Sequence, residues 1–106
     1  MQKYQGDIGL IKLNESPKGL SFLPLQAEGK VIAEGEVTGH RHILTATIPQ
    51  QVEIAQDERG FYLKVNEGDA ILTHDKHDVQ TMTPGIWFLP RQLERDIIRE
   101  FRVVSD

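Results

Sequence analysis

All four histidines of this 106-residue chain lie in two close pairs: His40 and His42 in "VTGHRHIL", His74 and His77 in "THDKHD". Four imidazoles brought together suit Zn, Ni, Cu or Fe. Three of them with a water would make an open, Lewis-acidic centre. Two or three with a carboxylate form another ligand set, for which Asp75, Asp78 and Glu94 are the acids at hand. The bland alternative is a metal-free polar cluster. A histidine on an apolar face is often a hydrogen-bonded core or rim residue, and Asp75 and Asp78 would then be its partners.

The elements around the pairs must decide whether they meet. In residues 30–46, "KVIAEGEVTGHRHILTA", a two-residue loop at Thr38 and Gly39 would set Val37 opposite His40. Alternation then places Val31, Ala33, Gly35 and Val37 on one face with His40, His42, Leu44 and Ala46. Glu34, Glu36, Arg41 and Thr45 fall on the other. In the second hairpin, a loop at Asp75 and Lys76 sets His74 opposite His77, with Ala70, Leu72, Val79 and Thr81 on their face. Both hairpins thus carry an apolar stripe that ends in two imidazoles. A one-residue slip would reverse the faces.

The rest of the chain reads as strands and turns, with turn signals every 8–12 residues and little helical period. Residues 7–13 read as a first strand, and "LSFLPLQAEG" as an extended segment confined by Pro24 to an edge. "VEIAQ" and "FYLKV" flank the loop "DERG"; "NEGD" and "TPG" are further turns, and "IWFL" is a strand. Leu93, Ile97, Ile98 and Phe101 fall at helical spacing, which predicts a short helical turn before a terminal strand. The fold expected over residues 1–106 is a single all-β domain of about eight strands. It is either a small β-barrel or a two-sheet sandwich of hairpins.

Composition sets the outer bounds. The hydrophobic share of 39% and charged share of 26% are ordinary for a globular domain. The absence of cysteine excludes disulfides, thiolate sites and cysteine nucleophiles. A net charge of −4 argues against a nucleic-acid backbone as partner. No apolar run has the roughly 20 residues needed to span a bilayer, and no signal-peptide layout opens the chain, so the expected location is cytoplasmic. No Gly-rich phosphate loop is present, and no serine has a histidine or acid at nucleophile spacing. Arg91, Gln92 and Glu94 follow a strand and could reach the histidine end. Trp87 reads as core, and Glu34 and Glu36 as a solvated strand face.

The segments "QGDI", "AEGEVTGHRH", "LTHDKHD", "TPGIW" and "RQLE", in this order, resemble a group of small uncharacterised bacterial and phage-encoded proteins. The resemblance runs through Gly35, Glu36, Thr38, Gly39, His40 and His42, then His74 and His77, Pro84 and Gly85, and Arg91, Gln92 and Glu94. It implies a shared site and no particular reaction. The group's aromatic after the last glutamate is replaced here by Arg95 and Asp96. The H-x-H strand is also similar to that of cupins. No glutamate follows until Glu53, however, and the P-x-G followed by His is missing, so that likeness is architectural.

The leading expectation is a metal-binding small β-barrel protein with Zn, Ni or Fe on His40, His42, His74 and His77. Asp75, Asp78, Arg91, Gln92 and Glu94 are candidates to hydrogen-bond those ligands or to replace one of them, and metal-dependent chemistry on a small molecule is the sharper form. The competing class is a non-enzymatic, phage-derived interaction or structural module whose histidines stabilise the fold or a homo-oligomer.

Overall fold

A computed structural model describes residues 2–6, 8–34 and 41–90. The expected helical turn near the C-terminus, the Thr38-Gly39 loop, His40, Arg91, Gln92 and Glu94 lie outside the described residues. The described strands are β1 (Gln2–Gln5), β2 (Ile8–Leu13), β3 (Leu23–Pro24), β4 (Lys30–Glu34), β5 (Arg41–Ala46), β6 (Val52–Asp57), β7 (Gly60–Val65), β8 (Ala70–His74), β9 (His77–Met82) and β10 (Gly85–Pro90). A single 3-10 turn, Pro49–Gln51, links β5 to β6. Among the described residues no helix is long and apolar enough to cross a membrane.

The strands form two sheets, in the orders β1-β2-β10-β7-β6-β3 and β4-β5-β8-β9, with antiparallel pairing throughout. Of the two expected architectures this is the sandwich; the barrel does not close. Along one side β1 meets β9 through side chains that reach its carbonyls: Lys3 Nζ donates to Thr81 O at 3.0 Å and Gln5 Nε2 to Asp78 O at 2.8 Å. Along the other side β3, only two residues long and carrying Pro24, leaves a gap beside β4. Proline cannot donate to a ladder, so β3 ends its sheet.

The main core lies between the sheets. It packs Leu10, Leu63, Trp87 and Leu89 of the larger sheet against Leu44, Ala70, Leu72 and Met82 of the smaller. The larger sheet is also apolar on its outer face, where Ile11, Leu13, Tyr62 and Phe88 form a second cluster. Leu20 and Phe22, from the loop after β2, pack over it. The Tyr62 and Phe88 rings stack at 4.6 Å there. Trp87 is fully buried, and its indole N–H donates to Thr83 O at 2.8 Å, so the core reading of this residue holds. The outer face of the smaller sheet is largely β-branched, with Arg41 at one end of β5: Val31, Ile43 and Thr73 align in one row, and Thr45, Ile71 and Thr81 in the next.

Two β-bulges modify the expected registers. In β4–β5, Glu34 pairs with Arg41 and Ala33 with His42, two residues from the anticipated pairing, so the face of His42 is preserved. An extra residue then enters β4 between Val31 and Ala33. Ile32 packs on the core, and Val31, expected inside, is 40% exposed. In β8–β9, Leu72 pairs with Gln80 but His74 with His77, so β9 carries one extra residue. Met82 therefore points into the core, while Val79, expected beside His77, is 57% exposed and Thr81 is exposed as well. An alternation argument assumes an unbroken ladder; each bulge restarts it.

Candidate functional site

Three of the four histidines converge at the end of the sandwich where the β1–β2 turn meets the smaller sheet. His42 comes from β5, His74 from the last position of β8 and His77 from the first of β9. Their ring centroids are 4.3 Å apart for His42–His74, 4.6 Å for His74–His77 and 6.1 Å for His42–His77. The Asp75-Lys76 loop sets His74 directly opposite His77, as the hairpin reading required. His42 is 6% exposed, the side chain of His74 equally little, and His77 forms the solvent-facing member.

The residue that organises this cluster is Gln5, at the end of β1. It is 1% exposed, and its amide group is fully engaged. Nε2 donates to Leu72 O at 2.7 Å and to Asp78 O at 2.8 Å. Both partners are carbonyls, so this atom is the amide nitrogen and the other is the oxygen. Oε1 lies 2.9 Å from His42 Nδ1, which must therefore carry the proton. A neutral His42 then has its lone pair on Nε2. One glutamine thus joins β1, β5, β8 and β9 and fixes a tautomer. Nothing in the polar opening "QKYQGD" marks a core strand, and Gln5 became recognisable only once β1 was seen to lie over the histidines.

His74 is set the other way. The Lys76 N–H donates to its Nδ1 at 3.0 Å, so a neutral ring carries its proton on Nε2. Asp75 Oδ1 also lies 3.4 Å from that Nδ1. The two contacts exclude each other: the carboxylate attracts Nδ1 only when it is protonated, and a protonated Nδ1 cannot accept from Lys76. The shorter, directional amide bond governs the arrangement described here.

His77 is placed by Gly6. This turn residue has φ of +58°, and a Cβ built on it would lie 2.7 Å from His77 Nε2. Both the backbone conformation and the ring behind it favour glycine. Of the acids read as alternative ligands, Asp75 lies at the rim beside His74, whereas Asp78 contributes its backbone carbonyl to Gln5. A recess of about 300 Å³ lined by Arg41, Ile43, Thr73, His74 and Asp75 opens on the outer face of the smaller sheet, reaching the cluster only at His74.

Among the described residues, no group of three or more His, Asp or Glu side chains is arranged to hold a metal ion as it stands. The spacing is nevertheless of the right scale. An ion about 2.0–2.1 Å from each nitrogen of a tetrahedral site would hold ring centroids about 5 Å apart. The three observed separations bracket that value.

Neither the curated proteins nor the solved structures contain a match to this chain. A family match does exist, and it runs from residue 4 to residue 92, enclosing Gln5, Gly6 and all four histidines. The clustered imidazoles and the glutamine that orients them therefore lie wholly within a recognised unit, and the chain belongs to the family described as a domain of unknown function, DUF8820.

Proposed function

We propose that the chain is a metal-binding β-sandwich protein that takes Zn, Ni or Fe on His42, His74 and His77, with His40 as the fourth imidazole. The observation that carries this reading is the convergence of three imidazoles from three strands, one of them held at Nδ1 by a buried glutamine. Metal-ligating histidines characteristically donate their other ring N–H to a fixed acceptor, as His42 does to Gln5. On loading, His74 would ligate through Nε2 and shift its proton to Nδ1. The Lys76 bond would then give way to a bond to Asp75, making a carboxylate–histidine–metal chain.

The Lys76–His74 bond favours a second reading, in which the cluster is metal-free and the rings serve the fold through Gln5 and the β8–β9 turn. Elemental analysis of untagged protein separates the two. The first reading expects close to one transition metal per chain. At a free concentration about 100 times Kd, added Zn or Ni should contribute about 2.7 kcal/mol to stability, read as a rise in Tm. Metal-free protein with an unchanged Tm in Zn, Ni and Fe(II) would establish the second.

A further inference from the structure

At the opposite side of the sandwich from the β1–β9 contact, a groove of about 500 Å³ runs between the edge strands β3 and β4. Leu25 and Phe61 lie at its base, both buried. Its walls are Leu23, Pro24 and Val31, and two of these are large apolar side chains left open to solvent: Leu23 at 67% and Val31 at 40%. Among its lining residues the single charge is Lys30, whose Nζ lies 5.9 Å from the Phe61 ring centroid. No carboxylate among the described residues pairs with that ammonium. A lone cation over an apolar trough, in a chain of net charge −4, is a local reversal of sign.

We infer that this groove binds a small organic carboxylate with an aromatic or branched-alkyl body, the body lying on Phe61 and Leu23 and the carboxylate on Lys30. The volume falls within the range of small-ligand sites. The flanking edges argue against an added peptide strand. Pro24 offers no N–H to a ladder, and the bulge after Val31 interrupts β4, the last strand of its sheet among the described residues. The ligand is therefore recognised by apolar contact and one charge. None of the described histidines lines this groove, and the site does not depend on their binding metal.

The test is a ¹⁵N–¹H NMR titration with 3-phenylpropionate, 3-phenylpropan-1-ol and acetate. Phenylpropionate should shift the amides of Leu23, Val31 and Phe61 saturably with Kd of about 1 mM. The alcohol should bind about three- to fivefold more weakly, as expected for loss of one exposed charge contact. Acetate should produce no saturation. Lys30→Gln should weaken phenylpropionate by the same three- to fivefold and leave the alcohol unaffected. Leu23→Asp, at an exposed position, should abolish binding while the remaining spectrum is unchanged. The inference is overturned if phenylpropionate fails to saturate by about 10 mM, if its shifts cluster elsewhere, or if K30Q binds it as tightly as the wild type does.

Discussion

In the six-stranded sheet the strands β2, β7 and β10 are buried on both faces, one against the main core and the other beside Leu20 and Phe22. Its strands accordingly read as near-continuous apolar runs, "IGLIKL", "GFYLKV" and "GIWFLP". Among the described residues the four-stranded sheet is covered on one face only, so "RHILTA" and "AILTH" alternate, and their inner stripe turns to imidazole at one end. One sheet devotes nearly all its side chains to burial, while the other keeps polar groups at its rim that the smaller core can spare. The clustered imidazoles therefore belong to the sheet whose strands are less completely apolar.

Substitutions that set the two sheets against each other should rank clearly. Trp87→Ala removes the largest side chain of the twice-covered sheet and an indole hydrogen bond. It should cost about 3–5 kcal/mol in denaturant unfolding, or leave the chain unfolded. Gln5→Ala strands two carbonyls and the His42 N–H at the junction of the sheets. It should cost about 2–3 kcal/mol and lower zinc affinity at least tenfold by titration, because His42 loses its fixed tautomer. A stability loss with unchanged zinc affinity would make Gln5 a clasp alone.

Gly6→Ala should be milder, about 1–2 kcal/mol, for a positive φ and the contact with His77. In a double-mutant cycle with His77→Ala the contact part should vanish and the backbone part remain. Equal costs in both backgrounds would show that the ring does not constrain Gly6. His77→Ala alone, at the exposed end of the smaller sheet, should change stability by less than about 0.5 kcal/mol without metal. It should still remove most zinc binding, as measured by equilibrium dialysis. A retained stoichiometric site would exclude His77 as a ligand.

Much of the larger sheet was legible because its runs are apolar and punctuated: β2, β6, β7 and β10 lie where composition and turns placed them. The "DERG" loop is tighter than expected, with Asp57 paired to Gly60 and its Oδ1 accepting from the Arg59 N–H. β1 was not legible, since its inward residues are Lys3 and Gln5, polar groups whose value lies in carbonyls more than sixty residues away. The placing of His74 opposite His77 was legible because alternation holds over the short span next to the β8–β9 turn. Val31 and Val79 were misplaced because their faces had to be carried past a bulge. Barrel and sandwich share strand pattern and turn spacing. They differ in whether edge strands pair, which here depends on Pro24 and on two long side chains of β1.

The bulge in β9 also chooses a chemical group. Continued without it from Ala70↔Met82 and Leu72↔Gln80, the ladder would bring Asp78 opposite His74; the extra residue brings His77 there instead. An imidazole is a neutral ligand and a carboxylate an anionic one, so each such exchange alters the formal charge of a coordinated centre by one unit. A divalent ion held by imidazoles alone would keep its double positive charge. It would supply stronger Lewis acidity, and a stronger pull on an anion, than an ion beside an aspartate. The strength of the Lewis acid this end of the fold could support is set by the number of residues in a strand as much as by their identities.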